Sequence, residues 1–476
     1  MRGEENLCAR NWPVIVASLV LVAGWVAAVT VSWPGHLSYD SIVQLHDGRM
    51  GFYHSWHPPV MAWLLGIGDA LHPGAALFVL FDSALFFGAL LSLLWHRPRV
   101  SWAVPVVAAA IALLPQSFLY QTTVWKDVLF ANAAIAGFVC LAHAETRWTQ
   151  YHARIALLAG AFIFFVLATL TRQNGAIVLV AGIFALGAIV WRASGRKLAL
   201  FYGGSALAIS LVVVVIATAA LAVHSDDGEG PKAQLRLLRL YDLAGAVAAQ
   251  PSLPLPQLDA DNPTLAKLIR SDGARLYTPV RNDTLVGSQS LQNALAETKP
   301  AWMAAQWYDL ILQHPLLYLR VRTMDFGWVF LTPDIAACRP VFVGVEGPRD
   351  DMDDLGLRPR KDARDLALER YTKAFLGTPV FSHLTYAVLA LCALVLLLLR
   401  RAPGDVAMAS MIAATFAFTA SFFVISIACD YRYLYFLDLA ALVSTFYLAL
   451  DAAYLFQVVA TWSGSFWELR SDARKS

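Results

Sequence analysis

The sequence predicts an all-α polytopic membrane protein with about ten transmembrane helices, outer juxtamembrane helices and one large extracytoplasmic insertion. Three observations predict it. Of 476 residues, 58% are hydrophobic and only 15% charged, and the mean hydropathy is +0.56, whereas soluble proteins carry about 25% charge. The apolar residues fall in long runs nearly free of Asp, Glu, Lys and Arg, interrupted by one polar block at about 224–380. Basic residues between the runs gather on one side, the bias that sets membrane orientation. These features exclude a soluble enzyme and a disordered chain. The balance of 36 basic against 34 acidic residues offers no basic surface for nucleic acid.

One crossing takes roughly 20 mostly apolar residues. Ten runs qualify: 12–33, 75–95, 101–118, 124–143, 155–171, 175–192, 198–223, 381–399, 406–428 and 436–460. The stretch 58–72 begins Pro58-Pro59, contains Asp69 and ends His72-Pro73-Gly74. It is short for a crossing and reads as an amphipathic helix lying at the outer face. Counting ten places Arg2, Arg10, Arg97, Arg99, Arg147, Arg154, Arg192, Arg196, Lys197, Arg400, Arg401, Arg470, Arg474 and Lys475 on one side. The opposite short loops then hold only Arg49, Lys126, Arg172 and Arg432. Counting eleven destroys that separation after residue 74, so both termini are expected in the cytoplasm. The first run, with no small-residue cleavage site after it, reads as a retained signal anchor.

The chain accordingly divides into a seven-span module at 1–223 with its first outer loop at 34–74, an insertion at 224–380, and three spans with a cytoplasmic tail at 381–476. Within the insertion, 231–249 and 300–331 read as amphipathic helices, and 251–262 and 348–363 as irregular Pro- and Asp-rich stretches. The five cysteines show no Cys-x-x-Cys spacing. Cys338 and Cys429 would pair if both face an oxidising compartment, which their separation leaves open.

Polar residues of chemical interest collect on the outer face. Asp40, in Tyr39-Asp40-Ser41-Ile42-Val43-Gln44, sits just past the first span, where a carboxylate against a low-dielectric wall can serve as a general base. On residue type alone an N-cap role competes. The loop ends His54-Ser55-Trp56-His57-Pro58-Pro59; the His pair has no further ligand at helical spacing, so no metal is expected. Lys126 and Asp127 open the fourth span, a costly place for charge unless a cavity or a partner receives it. Arg172 and Asn174 turn between spans five and six, and Arg432 and Tyr433 precede the last span. Arginines flanked by tyrosines suit a phosphate bound through paired hydrogen bonds. Three separated cations facing one acidic loop point to an anionic, lipid-linked substrate. No cytoplasmic segment is long enough for a nucleotide-binding domain, and no Gly-rich phosphate loop occurs.

An Asp soon after the first span, His57-Pro58-Pro59 opening a juxtamembrane helix, Asp127 at the head of the fourth span and Tyr431-Arg432-Tyr433 near the C-terminus resemble the C-type (GT-C) membrane glycosyltransferases. Within that superfamily the chain is most similar to the branch of protein O-mannosyltransferases and the lipid A aminoarabinose transferase. The likeness covers about 12–192 and, loosely, the last two spans. It implies a polyprenyl-phosphate sugar donor, Asp40 as the catalytic carboxylate, Asp127 as the second-loop acidic residue, His57 as the start of the juxtamembrane motif and Arg432 as a donor-phosphate contact. Two departures stand out: Asp40-Ser41 replaces the Asp-Glu of many members, and Lys126 directly precedes Asp127. The first leaves one candidate base and no catalytic metal.

The expected activity is inverting transfer of a monosaccharide to a hydroxyl or amine of an envelope acceptor, at the outer face of a bacterial inner membrane, with no cofactor. Asp40 takes the acceptor proton, while Lys126, Arg172 and Arg432 bind the donor phosphate. Tyr39, Gln44, His54, His57, Asn174 and Tyr433 line the substrate cavity. Two rivals use other residues. A transporter or flippase would employ the span carboxylates Asp82 and Asp451, which have no evident partner in the sequence. An O-antigen polymerase or ligase would rely on Arg236, Arg239, Arg320 and Arg322 of the insertion.

Overall fold

A computed structural model of the chain describes residues 2–225 and 229–452. The first part carries α1 (Arg2–Ser32), α2 (Tyr39–Met50), α3 (Val60–Leu71), α4 (Ala76–Leu93), α5 (Ala103–Leu113), α6 (Pro115–Phe118), α7 (Lys126–Thr146), α8 (Tyr151–Thr171), α9 (Ala176–Ser194) and α10 (Arg196–Ala222). The polar block holds α11 (Glu229–Ala249), α12 (Pro256–Asp261), α13 (Pro263–Leu268), α14 (Ala274–Leu276), α15 (Asp283–Val286), α16 (Gln289–Glu297), α17 (Pro300–Gln313), α18 (Pro315–Leu331), α19 (Arg349–Asp354) and α20 (Ala363–Lys373). Then follow α21 (His383–Arg400), α22 (Asp405–Ile425) and α23 (Tyr435–Ala449). The described residues contain isolated β-bridges and no strand.

Among the described residues, eight helices are long and apolar enough to cross a membrane: α1, α4, α7 to α10, α21 and α22. The span expected at 101–118 is not one helix but α5 followed by a segment bent away by 69°. Pro115 explains the break. Its ring forces Leu114 out of the helical region, to ψ 142°. The expected span 436–460 is described only as far as residue 452, and its remainder, with Arg470, Arg474 and Lys475, lies outside the described residues. At 12 residues, α3 is too short to cross.

The bundle is organised around α7, in which every residue from Asp127 to Val139 is buried. Ala131, Ala133, Ala134, Ala136 and Gly137 keep its surface thin, so neighbouring backbones approach closely. The Phe165 ring of α8 fills the space a Cβ at Gly137 would need. At the periphery, α10 presents Phe201, Leu207, Ile209, Leu211, Val212 and Ile216 outward, an apolar face suited to lipid.

The insertion has a core of its own, with Leu240, Tyr241, Leu243, Leu258, Leu265 and Val321 among its members. The helix expected at 300–331 is broken at Pro315 into α17 and α18. The stretches expected to be irregular each contain a short helix: Pro256 starts α12, where its missing N–H costs nothing, and Asp350 and Asp351 favour the first turn of α19. Arg322, buried completely, pairs with Asp242 at 2.7 Å and Asp325 at 2.7 Å. It also donates to the carbonyls of Val424 and Ser426 at the end of α22. This arginine, a candidate under the ligase reading, joins the insertion's core to the bundle. Asp82 is bonded to Asn132 at 2.8 Å, and Asp451 pairs with Arg97 and Arg400, so both span carboxylates have fixed partners.

Candidate functional site

The site assembles where α2, α3, α7, α8 and the turn after α22 meet. Ser38, not Asp40, is the N-cap of α2, closing a capping box with Ser41. That leaves the Asp40 carboxylate free in the first turn, where the helix dipole favours it. It faces Arg432, whose Nη2 lies 2.6 Å from Asp40 Oδ2. The chain reaches Arg432 through the turn Tyr431–Leu434, anchored by a Tyr431 hydroxyl that donates to Asp438 at 2.6 Å. The Arg432 guanidinium stacks over the Trp125 ring at 5.1 Å. Asp430 and Asp127 flank it at 3.5 Å and 3.8 Å.

Lys126 and Asp127, adjacent at the start of α7, diverge in role. Asp127 is buried and forms an ion pair with Arg172, which is boxed by the rings of Phe418, Phe422 and Tyr433. Lys126 donates instead to His57 Nδ1 at 2.8 Å. Since Nδ1 accepts, the proton of neutral His57 sits on Nε2, 3.9 Å from Asp40 Oδ1. Burial, reinforced by the Lys126 charge and opposed by Asp40, lowers the His57 pKa to about 4, so the ring is neutral at pH 7. Burial pushes the Asp40 carboxyl up, but Arg432 and the His57 bond together outweigh it and hold the group well below the usual carboxylate range. Burial opposes the Arg432 charge, and Asp40 and Asp430 more than restore it, raising its pKa.

Counted as charges, Asp127 is matched by Arg172 and Asp40 by Arg432, while Asp430 lies between Arg432 and Arg281. Lys126 has no carboxylate within ion-pair distance among the described residues. Its side-chain partner is the His57 ring instead.

Asp40 and Arg432 form one wall of a cavity of about 630 Å³, with Tyr39 and Trp125 beside them and Phe342 and Glu346 of the insertion opposite. Of the residues expected to line it, Tyr39 does, whereas His57 is bonded to Lys126 and is not in the lining. Gln44 instead donates to the Asp40 backbone carbonyl, His54 is held by Asp47 at 2.7 Å, Asn174 donates to Ser421 on α22, and Tyr433 packs under Arg172. Arg339, Phe342 and Glu346 line the cavity too, with Glu369 and Lys373 of α20, and the segment of the first three gives no signal in the sequence because it has neither periodicity nor charge contrast. A second, apolar groove of about 450 Å³ lies between α3, the end of α8 and the end of α10, lined by Val60, Trp63, Leu170, Ala217 and Leu221. Among the described residues no group of three or more His, Cys, Asp or Glu is gathered to hold a metal ion.

No family model matches the sequence, and no curated protein matches it. Among solved structures, the chain is similar to the apo form of an oligosaccharyltransferase from Archaeoglobus fulgidus, at 14% identity and a TM-score of 0.42 over 95% of this chain and 52% of that one. It is also similar to the archaeal oligosaccharyltransferase AglB from the same organism in complex with an inhibitory peptide and a dolichol-phosphate, at 14% identity and a TM-score of 0.38 over 94% and 51%. The chain thus spans about half the length of the structures it matches.

Proposed function

We propose that the protein is an inverting GT-C-type glycosyltransferase that moves a monosaccharide from a polyprenyl-phosphate donor to a hydroxyl or amine of an envelope acceptor, at the outer face of a bacterial inner membrane. The observation that carries this reading is the Lys126 side chain, bonded at 2.8 Å to His57, beside an Asp40–Arg432 pair that opens on a cavity. The apolar groove supports it. Val60 lies three residues past His57 and Leu170 two before Arg172, so the groove is lined from segments adjoining those that carry the cluster, as a polyisoprenoid site calls for. The Cys338–Cys429 disulfide suits an oxidising compartment.

The donor phosphate binds Lys126 and draws Arg432 away from Asp40. Release from Arg432 restores basicity to Asp40, so the base becomes competent when donor is present. The acceptor, in the cavity, then attacks the anomeric carbon. Its proton passes to Asp40, the new bond forms from the face opposite the phosphate, and the pair of electrons in the breaking C–O bond leaves on the phosphate oxygen. Lys126 and Arg432 stabilise that charge, an effect worth roughly a hundredfold or more for each donor lost. Arg172 acts through Asp127 rather than on phosphate, since Asp127 already occupies it. Transport is less well supported, because Asp82 and Asp451 are each held by a fixed partner.

The test uses the protein in lipid nanodiscs, binding of undecaprenyl phosphate, and turnover of a panel of undecaprenyl-phosphate monosaccharides read as released undecaprenyl phosphate. Wild type binds and turns over at least one donor, and Lys126→Met loses binding. Wild-type protein that binds no undecaprenyl phosphate, or a Lys126→Met variant that binds normally, would sink the reading.

A further inference from the structure

Within the insertion, one ten-residue segment, 338–347, touches all three loops carrying the polar cluster, beside contacts from Val280 and Arg281 to the Cys429–Asp430 turn and from Arg360 and Asp365 to the Gly35–His36 loop. At its start, Cys338 is disulfide-bonded to Cys429, three residues before Arg432. Both sulfurs belong to fully buried residues. In its middle, the Pro340 carbonyl accepts from the Tyr120 hydroxyl at 2.6 Å. Phe342 packs on Trp125, the ring beneath Arg432 that also donates to Ser38 at 3.0 Å. At its end it pairs with the first loop. The Leu37 N–H donates to Gly344 O at 2.9 Å, the Glu346 N–H donates to Leu37 O at 2.9 Å, and the Gly344 N–H donates to His36 Nδ1 at 3.0 Å. Gly347 lies so close to α2 that a Cβ there would come within 2.7 Å of Ile42, two residues from Asp40.

Asp40 and Arg432 are 392 residues apart, and their side chains meet through one bond of 2.6 Å. A single part-buried ion pair is a slight hold between two loops so far apart in sequence. The segment 338–347 has a covalent hold on the loop of Arg432 and a backbone ladder on the loop of Asp40. It also walls the cavity with Arg339, Phe342 and Glu346.

We propose that this strap, locked by the Cys338–Cys429 disulfide, is a positioning element of the site: it bridges the loops of Asp40 and Arg432, holds the two residues in register and contributes to the acceptor-side wall. Cys338, Cys429 and Gly347 are positioning residues, acting through Arg432 and Asp40. The proposal rests on the donor reading only where lipid-phosphate binding is used as a readout.

The test is hydrogen exchange by mass spectrometry on the full-length protein in nanodiscs, with undecaprenyl phosphate affinity measured in parallel, for wild type and for Cys338→Ala with Cys429→Ala. Exchange is expected to rise at both 36–42 and 426–435 while the opposite end of the bundle is unchanged. Affinity falls roughly tenfold, the scale of one charge-assisted hydrogen bond. In an Arg432→Gln background the cysteine changes cause no further loss. Should the double variant not fold, Gly347→Ala leaves the disulfide whole while pressing on Ile42, and the same rise at 36–42 is expected. Unchanged exchange at 36–42 in the folded variants overturns the proposal, as does a cysteine effect that simply adds to that of Arg432→Gln. Failure of wild-type protein to bind undecaprenyl phosphate overturns the donor reading instead, and exchange alone then decides the strap.

Discussion

Asp40 is a poor base as long as Arg432 holds it, and this makes its variants informative. Under the proposed mechanism Asp40→Asn removes the proton acceptor but keeps the shape, so turnover of any accepted donor should fall by at least a hundredfold while undecaprenyl phosphate still binds. Residual turnover near wild type would reassign the base. The two buried imidazoles near the site give a pH prediction. His36 is lowered to about 4, chiefly by burial and against the pull of Asp365, and His57 is lowered to about 4 by burial and Lys126. Between about 4 and the ordinary 6.5 the unfolded chain binds protons that the folded chain does not, so stability is full above about 6.5 and falls as pH drops through that window. Thermal unfolding in detergent should show the loss, and His36→Gln should flatten it. The candidate residues were legible because charge is so scarce in this chain that each Asp, Lys or Arg near a span end stands out. Their pairing was not. Nothing in Lys126-Asp127 says that one meets a histidine and the other an arginine.

Among the elements, the α2–α3 pair has the least tolerance. Gly48 and Gly66 bring the two backbones into contact: a Cβ at Gly48 would stand 2.2 Å from Ala62 O. The Arg49 guanidinium grips Asp69 with two bonds, of 2.6 Å and 2.7 Å, beside the crossing. Since backbone is the obstacle, Gly48→Ala should cost about 1–3 kcal/mol, the range of overpacked cores, visible as a lower melting temperature; an unchanged melting temperature would show that the helices can separate freely. Hydropathy marked the spans well, because lipid contact demands a sustained apolar run. It averaged across Pro115 and missed the bend between α5 and α6. It also missed the short helices α12 and α19, whose few residues carry no measurable period. The strap at 338–347 was illegible for a deeper reason: its role comes from backbone pairing with His36 and Leu37 and from a disulfide across 91 residues, and neither leaves a local pattern.

At the scale of the whole molecule, two polar networks close opposite ends of the apolar bundle. Away from Asp40, Arg400 pairs with Asp405 at 2.5 Å and Asp451 at 2.9 Å, and Arg97 joins them through Asp451 at 2.7 Å. Removing one member of such a buried set strands the others, so Arg400→Met should destabilise by about 3–5 kcal/mol in thermal unfolding. Undecaprenyl phosphate affinity should be unaltered below the transition; a parallel loss of affinity would mean that the two ends communicate. The Asp40–Arg432 pair has a consequence in time as well as in space. Asp40 leaves the ribosome 392 residues ahead of its guanidinium, at the rates of synthesis tens of seconds earlier. Through that interval the nascent chain carries an unmatched carboxylate at the lip of the membrane, while Asp127 needs to wait only for Arg172. A ribosome-stalled chain ending before Cys429 should therefore expose the 36–42 loop to protease, and lengthening it past Arg432 should protect it, so that the candidate site closes only when nearly the whole chain has been made.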